Sequence, residues 1–177
     1  MRDLADVSEQ LFNARQANSD TPLTHRIYIR ILCTTIEGDT SARKQLALAM
    51  RSLGKATISN RDLALLRDER VFTKNGRERK FTQVEKSIRH QLSFSFCMFA
   101  RYLTSPNRTR CKADFRPIEK IESGKMLNLF HETVECRNRL THPKKVNDLD
   151  VSSTDLVYAE AVDTWYRQSS DDLVESL

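Results

Sequence analysis

Leu127-Asn128-Leu129-Phe130-His131-Glu132-Thr133-Val134-Glu135-Cys136-Arg137-Asn138-Arg139-Leu140-Thr141-His142-Pro143 is the stretch on which the reading of this chain turns. Leu127, Phe130 and Val134 recur at helical spacing, and Arg137 and Asn138 take the next positions of the same face. An amphipathic helix normally continues its apolar stripe or stops. Here a guanidinium and an amide stand in the stripe, followed by an imidazole. Burying such groups without partners is costly, so they are expected to face a cleft or a subunit seam. Pro143 disfavours the α region for the residue before it, which places His142 at the helix end with its ring free to leave the helix surface. An arginine, a neighbouring amide and a helix-terminal histidine suit an anionic ligand or transition state.

Outward from this stretch, nearly every segment reads as helix. The motif helix is expected from about Ile118 to Thr141, weakened at Ser123-Gly124. Before it, residues 104–117 form a polar loop with Arg108, Arg110, Lys112 and Arg116 against one acid, Asp114. Thr82-x-x-Glu85 is a capping box, and the stripe Val84, Ile88, Leu92, Phe96, Phe99 and Leu103 behind it predicts a helix over 82–104. Lys74 to Lys80 is a charged turn; Asn75-Gly76 could close a small hairpin, but a loop tip is the expectation.

Further upstream, residues 2–17 carry Leu4, Val7 and Leu11 on one side of a first helix. Thr21-Pro22 starts a second that ends near Gly38, and a third runs from about Ser41 to Leu53. Ser59 caps a short fourth helix through Arg70. Downstream, Ser152 or Ser153 caps a last helix with Tyr158, Ala161, Val162 and Trp165 on its apolar face, and the tail after Ser169 is expected to fray.

The 177 residues allow one domain with a core, and Gly 4 and Pro 4 disfavour a fold rich in tight turns. The expectation is an all-α antiparallel helical bundle with an N-terminal helical extension, one helical domain over 1–177. No run approaches the ~18 apolar residues of a membrane span, and the first residues lack a signal-peptide core, so the expected location is cytoplasmic. The cysteines Cys33, Cys97, Cys111 and Cys136 form no Cys-x-x-Cys pair and read as structural thiols.

The net charge of +5 is unevenly spread. Residues 146–177 hold Asp148, Asp150, Asp155, Glu160, Asp163, Asp171, Asp172 and Glu175 against Arg167, a net −7 that leaves +12 on the rest. A basic body of this kind can attract the phosphates of nucleic acid, and it can equally be a solvated surface. His131 and Glu135 share a helix face, but no third metal ligand accompanies them, and a solvated face is the better reading. No Gly-rich phosphate loop supports a nucleotide hydrolase.

Arg137-Asn138-Arg139-Leu140-Thr141-His142 matches the Arg-Asn-x-x-x-His form of the HEPN superfamily, and the chain resembles that family over residues 137–143 at the level of motif. In order of elements the resemblance extends over about 82–168, which would be the HEPN-like core, with helices of 2–70 packed against it. It implies a metal-independent endoribonuclease of the toxin or phage-defence kind, without cofactor or metal, acting through a cleft shared by a homodimer. Arg137, Asn138 and His142 would be its catalytic residues. RNA would be the substrate, and a cognate antitoxin or regulatory protein a further partner. The candidate RNA contacts are Arg108, Arg110, Lys112, Arg116, Arg139, Lys144 and Lys145. The alternative is a non-catalytic HEPN-like module that binds nucleic acid or nucleotide or docks a partner.

Overall fold

The computed structural model describes residues 21–54, 58–103 and 121–175, which are mostly helical. In chain order the elements are α1 (Pro22–Ser52), α2 (Asn60–Leu66), β1 (Val71–Lys74), β2 (Arg77–Lys80), α3 (Gln83–Lys86), α4 (Ile88–Leu103), α5 (Ile121–Thr141), a 3-10 turn (Val146–Leu149) and α6 (Ser153–Glu175). The expected first helix over 2–17 and the basic loop with Arg108, Arg110, Lys112 and Arg116 lie outside the described residues. No described helix is long and apolar enough to cross a membrane.

The described residues gather into two compact units. One takes those of 1–39 and 119–170, the other those of 40–118 and 171–177. The first unit is built on the opening half of α1. Thr21 and Thr24 cap this helix reciprocally, each backbone N–H donating to the other's hydroxyl (2.9 and 3.2 Å), and Pro22 follows where its missing N–H costs nothing. Tyr28, Ile29, Leu32, Cys33 and Ile36 are buried along one side, and α5 buries Phe130, Val134, Cys136 and Leu140. Helix α6 contributes Leu156, Ala159, Val162 and Tyr166. Each large side chain taken fully out of water contributes about 1.5–3 kcal/mol.

Polar ties join these helices across the sequence. The Cys33 thiol donates to the Thr133 carbonyl (3.8 Å), Tyr28 Oη to Asp163 (3.3 Å) and Tyr166 Oη to Asp39 (2.9 Å). Arg167 Nε also donates to Asp163, at 2.8 Å. Burial pushes the Cys33 thiol up to about 12 and the Cys136 thiol up to about 11, so both are inert packing groups.

The second unit has its own core. Ala47, Ile58, Leu66 and Met98 form one cluster; Ala64, Leu65 and Phe81 form another, with Phe72 and Phe94 packed against it. Two buried cations of α1 are compensated. Lys44 bonds Asp68 and Gln91, and Arg43 donates to Ser95 Oγ (3.2 Å) while its guanidinium lies 4.2 Å from the Phe96 ring centroid.

Several expectations need correcting. Helix α1 does not end near Gly38 but runs unbroken to Ser52. A lone helical glycine costs only about 1 kcal/mol, and the burial of Ile36 on one side and Ala47 on the other offsets that. Asn75-Gly76 closes a true hairpin, in register Val71↔Lys80 and Phe72↔Arg79, because both turn residues adopt the positive φ of a type I′ turn (51° and 71°). The helix expected over 82–104 is interrupted at Ser87, whose ψ of 148° is extended. The capping box itself is present: Glu85 accepts from the Thr82 N–H (2.7 Å) and Thr82 Oγ1 from the Glu85 N–H (3.2 Å). Finally, the tail does not fray after Ser169, since α6 continues to Glu175 and buries Leu173.

Helix α5 passes Gly124 without a break. Ser152 is the cap of α6, its Oγ accepting from the Asp155 N–H (3.1 Å) while the Asp155 carboxylate accepts from the Ser152 N–H (2.9 Å). In α2, Ser59 accepts from the Asp62 N–H (3.1 Å), but the helix stops at Leu66, short of the expected Arg70. Asp68 at φ 56° turns the chain out of the helix and toward β1.

Candidate anion site at the end of helix α5

The last turns of α5 carry the motif, and the apolar stripe does change character there. Phe130, Val134 and Leu140 are buried, whereas Arg137 is half-buried and Asn138 is exposed. Asn138 therefore does not share the inward face with Arg137; one residue of helix is a 100° rotation, enough to carry it to solvent. Thr141 is the last helical residue, and His142 follows it with an exposed imidazole, as the proline rule requires. Its backbone N–H still closes a helical bond to the Asn138 carbonyl (2.9 Å).

Arg137 is not open to solvent as a lone cation. Its Nη1 and Nη2 donate to the two oxygens of Glu37 on α1, at 3.2 and 2.5 Å. This fork-to-carboxylate geometry fixes the guanidinium plane. The side chains retain 23% and 34% exposure, so the pair is shielded yet reachable. The Nε–H of Arg137 is buried without a partner among the described residues. A guanidinium has five donors and Glu37 takes two, which leaves donors for a further anion.

The neighbouring cations divide. Arg139 is occupied: its Nη2 donates to Asp155 (3.0 Å) and to the Asp150 carbonyl (3.3 Å), tying the end of α5 to the start of α6. Burial pushes the Asp155 carboxyl up, but bonds from Ser152 and from Arg139 outweigh it and hold the group below the usual carboxylate range. Arg139 thus serves as a structural tie between the two helices. Lys144 and Lys145 are exposed just beyond His142, and their backbone N–H groups both donate to Asp148 (2.7 and 2.9 Å). The motif end of α5 therefore presents Asn138, His142, Lys144 and Lys145 to solvent, while Arg137 is half-buried.

No family model matches this chain, and neither a curated protein nor a solved structure does so.

Sequence reasoning missed two residues that shape this site. Glu37 lies one hundred positions from Arg137 in the chain, and Arg30 reaches the Leu140 carbonyl at the end of α5 with its guanidinium. Neither had a local signal, although Glu37 stands next to the apolar Ile36 and lies one helical turn from Cys33. Among the described residues, no group of three His, Cys, Asp or Glu side chains, His131 and Glu135 included, could hold an ion.

Proposed function

We propose that this chain is a HEPN-like endoribonuclease that cleaves RNA without a metal, its cleft completed by a second copy of the chain. The observation that carries the reading is Arg137, locked by Glu37 and five residues ahead of an exposed helix-terminal His142. RNA cleavage by its own 2′-hydroxyl needs a base for that hydroxyl, an acid for the departing 5′-oxygen, and donors for the pentacoordinate phosphorus between them. Imidazole serves both proton steps near neutral pH. The unused donors of a pre-oriented guanidinium serve the phosphoryl oxygens, and such groups act best when they need no reorganisation. One His142 per chain supplies one proton-transfer group, which is why two copies are invoked.

The Arg137–Glu37 pair also favours a second reading, a non-catalytic module. Glu37 offsets the charge of Arg137, and such a pair holds α1 against α5 whether or not the guanidinium also takes part in chemistry.

The test is cleavage of a structured RNA in excess EDTA by the wild-type chain, Arg137→Ala and His142→Ala. The enzyme reading expects 2′,3′-cyclic phosphate ends, a loss of about 10²–10⁴-fold for His142→Ala, and a loss of about 10²–10³-fold for Arg137→Ala. Wild-type cleavage that persists in His142→Ala would sink the assignment. RNA retention without cleavage would favour the module.

A further inference from the structure

The hairpin β1–β2 has a chemically one-sided face. Alternation along each strand and the register Phe72↔Arg79 and Lys74↔Arg77 put Phe72, Lys74, Arg77 and Arg79 on the same side. Val71, Thr73, Glu78 and Lys80 take the other, so the hairpin's acid points away from the three cations. The same four residues line a surface cleft of about 520 Å³, together with Asn75, Lys80 and Glu85.

The cations of this face are exposed and in no ion pair among the described residues. The acid at the cleft edge does not neutralise them. Glu85 is held down at about 2 by the Thr82 N–H and by Arg61, whose Nη2 lies 2.5 Å away, so its charge is matched on its own side. Phe72 is anchored by Phe81, its ring centroid 4.7 Å from that of this residue, which belongs to the core of this unit. Cations that a fold assembles on one ribbon face without counter-ions, beside a partly exposed aromatic ring, match a strand of phosphodiesters with unpaired bases.

We infer that this face of the hairpin is a docking surface for single-stranded nucleic acid, held chiefly through its phosphates by Lys74, Arg77 and Arg79. The site stands independently of the motif on α5, because it requires no cleavage.

The test is binding of a fluorescent uridine 20-mer to the full chain by anisotropy, across a salt series. Lys74→Gln/Arg77→Gln/Arg79→Gln is compared with a control that removes equal charge from exposed positions elsewhere, Arg67→Gln/Lys86→Gln/Lys125→Gln. The ribbon triple should bind at least tenfold more weakly, with the slope of log K against log salt shallower by about 2, while the control stays within twofold of wild type. Arg77→Gln alone, at the exposed turn, should give a partial loss of the same sign should the triple fail to fold. Equal losses in the ribbon and control variants would overturn the inference, as would no binding by the wild-type chain at low salt. Tighter binding of polyglutamate than of the oligonucleotide would also overturn it, in favour of an acidic protein partner.

Discussion

At the residue scale, the informative side chains are those whose partners decide what they can do. Arg137, Arg139 and the cations of the hairpin are all basic, yet of these only the last group is in no ion pair among the described residues. Arg137 has Glu37, and Arg139 has Asp155. The thiols illustrate the same rule. Cys33 is fully buried and Cys136 nearly so, and burial disfavours the thiolate that an alkylating reagent needs. At pH 8 the folded protein should show almost no labelling by iodoacetamide at Cys33 and Cys136 after an hour, and full labelling in 6 M guanidinium, read peptide by peptide by mass spectrometry. Rapid labelling of either in the folded chain would contradict the burial described.

At the element scale, helix interiors contain two glycines with open space where a Cβ would stand, Gly38 in α1 and Gly124 in α5. Gly38→Ala and Gly124→Ala should each raise stability by about 0.5–1 kcal/mol, seen as a higher urea midpoint at unchanged m-value. This is also where the limits of sequence reading show. Thr21-Pro22, Thr82-x-x-Glu85 and Ser152 were legible because a cap is a local bargain between a side-chain oxygen and an amide two or three residues on. The end of α5 at Thr141 was legible for the same reason, through Pro143. Gly38 misled because a helix boundary is settled by burial on both sides, which no short window contains. Ser87 breaks a stripe that looks continuous from Val84 to Leu103, and Val84 is in fact exposed. The motif residues could be named from sequence; that Arg137 is held by Glu37 and that Asn138 faces solvent could not, since both depend on where distant segments fold.

At the scale of the whole molecule, the acids of residues 146–177 have local duties that composition alone leaves open. Asp148 receives two backbone amides, the Asp155 carboxylate accepts the N–H of Ser152 at the start of α6, and Asp163 is bonded by Tyr28 and Arg167. The strong charge imbalance is to that extent a by-product of capping and cross-linking. The ties between α1 and the last two helices carry another consequence. The described residues of the unit they hold together come from 1–39 and 119–170, with nearly all of the other unit encoded between them. During synthesis at ~5–20 residues per second, Tyr28, Ile29, Leu32 and Ile36 emerge several seconds before Phe130 or Val162 exists to receive them. A fragment ending at residue 118 should therefore bind an apolar dye that the full-length chain ignores; silence from both would mean that α1 finds cover earlier. For that interval the nascent chain carries an open apolar helix face, and the ribosome's attendant chaperones are the natural company for it.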